Sequence, residues 1–289
     1  MLPLAVTLAG PGRPLAPSAA AVAAVMLLAW AVGVAAQDIS WVDVAWGPAL
    51  ALVALVAALT GDGDPLRRWL LAGATALWGL RLGAHILARK LSQPGEDRRY
   101  ARMRAAHPQR FALWSLRSVF ALQGLLVLVV SLPIQVAADR PAAPASLYAP
   151  GLALYALGLS FEAIGDEQLR RFRSDQANDK AVLDRGLWAW TRHPNYFGDA
   201  CVWWGLWLVA LMAGGTWWTA VAPLTMTILL VRVSGKALLE RDIESRRPGY
   251  AEYVRSTSSF WPRPPRRPAR AGTATARRAG ETRSRGASR

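Results

Sequence analysis

The sequence predicts an all-α integral membrane protein, a bundle of about seven transmembrane helices with its N-terminus outside and its C-terminus in the cytoplasm. Of its 289 residues, 53% are hydrophobic and 18% are charged, whereas a soluble domain carries about 25% charged residues. The apolar residues form blocks of roughly 17–25 residues, the length that a helix needs to cross a bilayer. Many of the 14 Trp residues flank these blocks, as expected for the membrane–water interface.

The charges between the apolar blocks indicate how the helices are oriented. Segment 89–110 has seven Lys or Arg against two acids, whereas segment 137–146 has one of each. Basic and nearly neutral loops alternate in this way along the chain, which is the positive-inside pattern. The predicted spans are 18–36, 44–59, 69–88, 114–136, 147–165, 198–213 and 217–233. The high Ala and Arg content favours a bacterial source, and we expect the protein in the bacterial cytoplasmic membrane.

Segments outside the spans divide the chain. We expect an extracytoplasmic segment at 1–17, a membrane domain at 18–261 whose cofactor-binding part is about 147–261, and a disordered basic tail at 262–289. The tail has nine Arg against Glu281 and lacks the apolar residues that a core requires. A basic tail beside a membrane is attracted to anionic lipid. We therefore expect no nucleic acid as a partner.

Several familiar kinds of site are missing from the sequence. The single cysteine, Cys201, allows no intramolecular disulfide. The three histidines, at 85, 107 and 193, lack the spacing of metal ligands, so we expect no metal. Neither a P-loop nor a Gly-rich dinucleotide fingerprint is present, so any nucleotide would be bound by another framework.

Polar residues at span ends are costly in a membrane and point to function. In the first cluster, 38–47, Asp38 and Ser40 are explained by helix capping, but Asp43 is close to the apolar run. For Asp43 a capping role and a functional role are equally open. In the second cluster Arg81, His85 and Arg89 recur every four residues and share one helix face. Arg89 can extend to the interface, whereas Arg81 lies about two turns deeper.

The third and fourth clusters lie in the second half of the chain. Glu162, Asp166 and Arg170 are spaced by four residues, with Glu167 and Arg173 nearby. This pattern fits either salt-bridged helix ends or a cavity for a ligand with hydroxyls and phosphates. The fourth cluster is 186–199, where Pro194 suits the first turn of a helix. Thr191, His193 and Asn195 would then place donors beside Arg192 at a helix N-terminus, a common anion site, although His193 could also be a simple cap.

These residues resemble a known family. The run Arg192–Asp199 resembles the C-terminal hallmark of the steroid 5-alpha-reductase superfamily, and the chain is most similar to its bacterial branch, the DUF1295 family. The resemblance covers roughly residues 38–262. It is also carried by 42–47, 78–82, 95–100, 249–253, Thr257 and 260–262.

The resemblance implies a seven-helix bundle with a cytoplasm-facing cavity. In this family the C-terminal half binds NADPH and the N-terminal half binds a lipid-like substrate. The implied reaction is reduction of a carbon–carbon double bond conjugated to a carbonyl. Hydride adds to the β-carbon, and hydrogen-bond donors stabilise the charge that develops on the carbonyl oxygen. No obligate protein partner is expected, and membrane lipids surround the bundle.

Roles are carried over by position. Asp166, Arg170 and Arg173 match the cofactor contacts of the fifth span, and Asn195, Tyr196 and Asp199 match those after the His-Pro element, with Asp199 in place of the more usual Glu. The complete predicted cofactor set is Glu162, Asp166, Arg170, Arg173, Arg192, His193, Asn195, Tyr196, Asp199, Arg241, Arg246 and Tyr250. The family's substrate-polarising acid and tyrosine do not map cleanly. The predicted catalytic residues are Asp43, His85 and Arg81.

Two alternatives remain open from the sequence. Membrane isoprenylcysteine and phospholipid methyltransferases share a similar Arg-His-Pro-x-Tyr element and bind S-adenosylmethionine. They usually follow it with paired glutamates, whereas Glu240 and Glu244 are four residues apart here. The third alternative is a non-catalytic lipid-binding membrane protein with the same fold.

Overall fold

The structure is a computed structural model that describes residues 13–93, 95–178, 181–212, 214, 216–233, 247 and 249–265. Throughout these residues the regular structure is helical, without a strand. The α-helices in chain order are α1 Leu15–Ala35, α2 Trp41–Thr60, α3 Pro65–Ser92, α4 Arg98–Ala106, α5 Phe111–Ser115, α6 Ala121–Val130, α7 Leu132–Ala137, α8 Ala149–Ser174, α9 Pro194–Leu211, α10 Val221–Ile228 and α11 Tyr250–Ser256. Short 3₁₀ turns are Ala145–Tyr148, Gln176–Asn178, Gly186–Ala189 and Trp217–Ala220, and π-helical turns are Leu116–Phe120 and Leu229–Val233.

Five helical stretches are long and apolar enough to cross a membrane. They are Leu15–Ala35, Trp41–Thr60, Pro65–Ser92, Phe111–Val130 and Ala145–Ser174. This confirms an all-helical chain of multi-pass membrane type. Of the last two predicted spans, 198–213 overlaps α9, and 217–233 overlaps the shorter apolar stretch Trp217–Arg232.

Helix α3 begins before its predicted apolar block because a capping residue starts it early. At α3 the Asp64 side chain accepts hydrogen bonds from the backbone N–H groups of Leu66 and Arg67, and Pro65 occupies the first helical position. Both are favourable at a helix start. The helix therefore begins four residues before the predicted span at 69–88.

The chain forms two compact units. The first unit is Met1–Ser160 with Gly198–Leu230, and the second is Phe161–Phe197 with Val231–Arg289. Helices α8 and α9 each contribute residues to both units. Residues 1–12 of the predicted N-terminal segment and 266–289 of the predicted tail lie outside the described residues.

The first unit is organised around the crossing of α2 and α3. A Cβ added to Gly47 would lie 2.3 Å from the carbonyl oxygen of Gly79, and one added to Gly79 would lie 2.4 Å from that of Gly47. Small residues allow such close helix contacts in membrane bundles. The buried ring of Trp78 lies beside this crossing, with its centroid 5.2 Å from that of Trp203 in an edge-to-face contact.

Within this unit, the loop between α2 and α3 contacts the loop after α7. The Gly63 N–H donates to the Ala138 carbonyl at 2.8 Å, and the Asp64 N–H donates to the Arg140 carbonyl at 3.0 Å. Arg67 is completely buried there. Its guanidinium donates to the carbonyls of Ala137, Arg140 and Pro141, at Nη–O distances of 3.0, 2.5 and 3.0 Å. The sequence did not predict this structural role, because Arg67 lies in a loop between two predicted spans.

The second unit joins the chain before α9 to the segment around α11. The Arg192 N–H donates to the Ser258 carbonyl at 2.9 Å, and the Arg263 N–H donates to the Trp190 carbonyl at 2.9 Å. The Tyr253 hydroxyl donates to the Trp188 carbonyl at 2.7 Å. The start of α9 is therefore built on the C-terminal part of the described chain.

Candidate functional site

The N-terminus of α9 is shaped by the residues before it. The helix begins at Pro194, which confirms the helix start predicted from the sequence. The Thr191 hydroxyl accepts a hydrogen bond from the His193 N–H at 3.3 Å and donates to the Phe260 carbonyl at 3.0 Å. This fully buried threonine fixes the turn that leads into the helix.

Two predicted cofactor residues meet at this turn. The Asn195 side-chain amide donates to a carboxylate oxygen of Asp166 at 3.2 Å. Helices α8 and α9 approach closely here, because a Cβ added to Gly165 would lie 3.2 Å from Cγ of Pro194. Asp166 is buried, and so is Glu162 one turn earlier on α8. Buried carboxylates beside an amide can bind hydroxyl groups of a ligand.

An aromatic pair occupies the same helix start. The rings of His193 and Tyr196 are stacked, with centroids 5.2 Å apart and planes 4° from parallel. His193 is buried, and the Tyr196 N–H donates to the side-chain oxygen of Asn195 at 3.1 Å. Four predicted cofactor residues, Asp166, His193, Asn195 and Tyr196, are thus neighbours in the second unit.

The predicted arginines differ in their surroundings. Arg170 is exposed and pairs with Glu167, with Nε 2.6 Å from the carboxylate, and Arg173 is exposed one turn later on α8. Arg192 is buried, and its Nη1 donates to the carbonyls of Val254 and Thr257 at 2.9 Å each. Arg192 therefore joins the start of α9 to α11 in addition to any ligand role.

The remaining predicted cofactor residues are more dispersed. Asp199 is buried on α9, one turn beyond Asn195, and belongs to the first unit. Tyr250 is the first residue of α11, and its ring centroid lies 5.9 Å from that of Tyr253. Arg241 and Arg246 lie outside the described residues.

In the first unit, the predicted catalytic residue Asp43 has two partners from the segment after α3. The Tyr100 hydroxyl donates to one carboxylate oxygen at 2.7 Å, and Nη2 of Arg99 donates to the other at 3.0 Å. Asp97 accepts hydrogen bonds from the Arg99 N–H at 2.8 Å and from its Nε at 3.0 Å. The buried tyrosine and the arginine hold Asp43 in place.

Burial and neighbouring charges shift the pKa values of the three residues around Asp43. Burial and the neighbouring Asp43 carboxylate raise the pKa of the Tyr100 phenol, which therefore stays protonated at neutral pH. Burial would lower the pKa of Arg99, but Asp43 and Asp97 outweigh it and raise that pKa. Burial would raise the pKa of Asp97, but the hydrogen bonds from Arg99 hold it below its ordinary range.

Tyr100 and Arg99 were not assigned a role from the sequence. Both stand in the run 95–100, which carries part of the family resemblance, and that was the available signal. Their partner Asp43 is 57 residues earlier than Tyr100. Residues so far apart in sequence come into contact only when the chain folds, so their local sequences do not indicate the contact.

A second set of contacts fixes the end of α3 and the segment after it to the turn before α2. Lys90 forms an ion pair with Asp38, and its ammonium also donates to the Ser40 hydroxyl at 2.6 Å. Glu96 accepts a hydrogen bond from the Ile39 N–H at 3.0 Å and pairs with Arg104 at 2.8 Å. The turn that precedes Asp43 is therefore fixed by contacts from both Lys90 and Glu96.

The other two predicted catalytic residues lie on α3. Arg81 and His85 are one turn apart, and both are half-buried. Over the described ranges, the chain contains no group of three or more His, Cys, Asp or Glu residues arranged to hold a metal ion.

Comparison with known proteins assigns the chain to a family. Residues 29–257 match the family described as "protein of unknown function (DUF1295)", which is in the steroid 5-alpha-reductase-like group. Comparisons with curated proteins and with solved structures give no significant match. Because the family match extends over most of the sequence, including the polar groups around Asp43 and Asn195, the protein belongs to the DUF1295 family.

Proposed function

We propose that the protein is a membrane-embedded, NADPH-dependent reductase of a carbon–carbon double bond conjugated to a carbonyl in a steroid-like or other lipid substrate. The observation that carries the proposal is the hydrogen bond from Asn195 to the buried Asp166 at 3.2 Å. It joins two residues that the family resemblance assigns to the cofactor. Membership of the steroid 5-alpha-reductase-like group supports the same reading.

The chemistry of the second unit suits a dinucleotide. The carboxylates of Glu162 and Asp166 would accept hydrogen bonds from ribose hydroxyls, and the second N–H of the Asn195 amide would donate to the ligand. Arg170 and Arg173, on the exposed end of α8, would contact phosphates, since guanidinium groups match phosphate oxygens. When bound, NADPH supplies the hydride.

Asp43 and Tyr100 are the residues that we assign to the substrate carbonyl. Reduction places negative charge on the carbonyl oxygen, and a hydrogen-bond donor aimed at that oxygen stabilises it. The Tyr100 phenol has one proton, which it donates to Asp43 in this structure, and it would serve as such a donor after its hydroxyl turned from Asp43 to the substrate oxygen. Asp43 holds the phenol through the 2.7 Å hydrogen bond. His85 and Arg81 stay predictions as further groups near the substrate.

The proposal includes a topology of seven spans with the C-terminus in the cytoplasm of a bacterial cell, within the bacterial branch of the family. Two observations support it besides the loop charges. Five helical stretches are long enough to span the membrane. The loops at 61–64 and 137–141, which have one Arg and no Lys between them, contact each other, as expected if both lie on the extracytoplasmic side.

Ligand-induced thermal stabilisation of the detergent-purified protein tests the proposed cofactor. NADPH should raise the unfolding temperature at concentrations where S-adenosylmethionine does not, because a ligand that binds the folded state stabilises it by mass action. Stabilisation by S-adenosylmethionine alone would support the methyltransferase alternative against the reductase. If neither ligand has an effect, the non-catalytic lipid-binding alternative is favoured.

Replacement of Asn195 by Ala tests the position of the cofactor site. The Asn195→Ala protein should fold but bind NADPH about tenfold more weakly, since one hydrogen bond in a binding site is worth about 1.4 kcal/mol. The half-buried turn residue Asn178, whose amide donates to the Phe172 carbonyl, is replaced by Ala as the matched control and should retain wild-type affinity. Titration of NADPH by intrinsic Trp fluorescence measures both. An unchanged affinity in Asn195→Ala means that the cofactor binds elsewhere.

A further inference from the structure

The segment 98–117, which connects α3 to the next long apolar stretch, is strongly basic. It contains six Arg and no acid. We call it the basic segment. It comprises α4, the turn at 107–110 and the beginning of the stretch Phe111–Val130. Because apolar helices of spanning length stand on both sides of it, the basic segment lies at a membrane surface.

The arginines of α4 divide between two faces. Arg99 and Arg104 point toward acids, with Arg99 bound to Asp43 and Asp97 and Arg104 bound to Glu96. Arg98 and Arg102 are spaced by four residues and therefore share a different face of the helix. Both are exposed. The inner face thus holds the polar group around Asp43, and the outer face presents unneutralised positive charge.

The basic segment continues this outer surface beyond α4. Arg110 and Arg117 are exposed. In the described part of the chain, neither of them forms an ion pair, and the same holds for Arg98 and Arg102. Apolar groups accompany these charges, since Leu113 is exposed and the His107 ring stacks on that of Trp114 with centroids 4.4 Å apart.

We propose that the outer surface of the basic segment binds the headgroups of anionic phospholipids. Each arginine near a negatively charged bilayer gains about 1 kcal/mol, and guanidinium groups form paired hydrogen bonds with phosphate oxygens. Leu113, which is exposed, would enter the boundary between headgroups and acyl chains, as the apolar residues of interfacial helices do. A zwitterionic headgroup lacks the net charge for this attraction, so the surface selects anionic lipid.

Lipid bound in this way would also act on the inner face of α4. Arg99 and Tyr100, which bind Asp43, lie on the same short helix as Arg98 and Arg102. An anionic headgroup on the outer face would hold α4 in the position that keeps Asp43 covered. We therefore expect the backbone of 98–106 to open less often in an anionic bilayer.

Native mass spectrometry of the full-length protein with short-chain phosphatidylglycerol or phosphatidylcholine tests the proposal. Wild type should bind phosphatidylglycerol at least tenfold more tightly than phosphatidylcholine. The variant R98Q/R102Q/R110Q/R117Q should lose this preference. The matched control R277Q/R278Q/R283Q/R285Q has the same net charge and removes it from the basic tail, which also attracts anionic lipid, so it should weaken the preference far less than the basic-segment variant does. Equal loss in both variants, or no preference in wild type, overturns the proposal.

Hydrogen exchange of the wild-type protein in nanodiscs provides a readout that needs no variant. Amides of 98–106 should exchange at least threefold more slowly in phosphatidylcholine nanodiscs containing phosphatidylglycerol than in pure phosphatidylcholine. Equal exchange in the two bilayers contradicts the proposal. A short single-stranded oligonucleotide added to pure phosphatidylcholine nanodiscs is the competing polyanion. If it protects 98–106 as strongly, the surface is a general anion-binding one and the assignment to lipid is wrong.

Discussion

Arg67 contributes to stability through the carbonyl groups that it satisfies. No part of it is exposed, and its guanidinium reaches three backbone carbonyls of the loop after α7. The carbonyls of Ala137 and Arg140 each have a second donor, the backbone N–H groups of Arg140 and Asp64. Replacement of Arg67 therefore leaves the Pro141 carbonyl without its donor, and a buried carbonyl in that state costs about 1–3 kcal/mol. We expect Arg67→Met to lower the free energy of unfolding by about 1–3 kcal/mol in a denaturant titration. Arg117→Met, at an exposed arginine, should change it by less than about 0.5 kcal/mol.

Asp38 should make stability depend on acidic pH. Burial alone would raise its pKa, but hydrogen bonds from Lys90 and Ser40 outweigh burial and hold the pKa below its ordinary value. A depressed carboxyl pKa stabilises the fold above about pH 4, and that contribution is lost as the pH falls through the folded-state value. Wild type should therefore lose more stability than Asp38→Asn between about pH 6 and pH 3.

Denaturant unfolding of both proteins at several pH values measures this difference. The matched control is Asp184→Asn, which changes an exposed acid and should follow the wild-type profile. If Asp38→Asn has the same pH dependence as wild type, the ion pair with Lys90 contributes nothing to stability in solution.

For single residues, the sequence indicated which side chains are candidates for function but not which partners they contact. The position of Asp43 beside an apolar run was enough to make it a candidate, because an acid there is costly. Its partner Tyr100 could not be assigned, since the hydrogen bond between them spans 57 residues. Similarly, Arg192 was expected to contact an anion, and nothing in its sequence neighbourhood indicated the carbonyls of Val254 and Thr257.

At the scale of elements, the contact between α2 and α3 depends on the absence of side chains at two glycines. An added Cβ at Gly47 would overlap the Gly79 carbonyl at 2.3 Å, so the two helices would have to separate. We expect Gly47→Ala to destabilise the protein by about 2 kcal/mol, the usual cost of overpacking. Gly73 on α3 is the control, because a Cβ there meets nothing within 4 Å.

Thermal unfolding in detergent distinguishes the two glycine variants. Gly73→Ala should be neutral or slightly stabilising, since Ala is favoured over Gly within a helix. Similar unfolding temperatures for Gly47→Ala and wild type would mean that the helices are not in close contact at this crossing.

The sequence predicted the long apolar helices but not the short charged ones. The long apolar blocks correspond to helices because bilayer crossing imposes both length and composition. By contrast, α4 was expected only as part of a charged loop. Its sequence is dominated by arginine, and its inward face is stabilised by Glu96 and Asp97, which directly precede it, and by Asp43 of α2, which is distant in sequence.

At the scale of the whole molecule, loop charge and tertiary contact agree in the first unit. The loops at 61–64 and 137–141, which are poor in Lys and Arg, contact each other, and the turn at 38–43 contacts the strongly basic stretch after α3. The loop charges predict which loops share a side of the membrane because translocation responds to Lys and Arg, and this orientation stays a prediction. The contacts that join the loops on each side depend on single hydrogen bonds and were not predictable.

Cysteine labelling tests this topology in the intact molecule. Cys201 is the only cysteine of the sequence and is buried, so a Cys201→Ser background allows single cysteines to be placed at exposed sites. In whole cells, a membrane-impermeant maleimide should label Ala142→Cys and should label Ala101→Cys only after permeabilisation. Labelling of Ala101→Cys alone would mean that the orientation is reversed. Labelling of both would mean that the stretch Phe111–Val130, which separates them, does not cross the membrane.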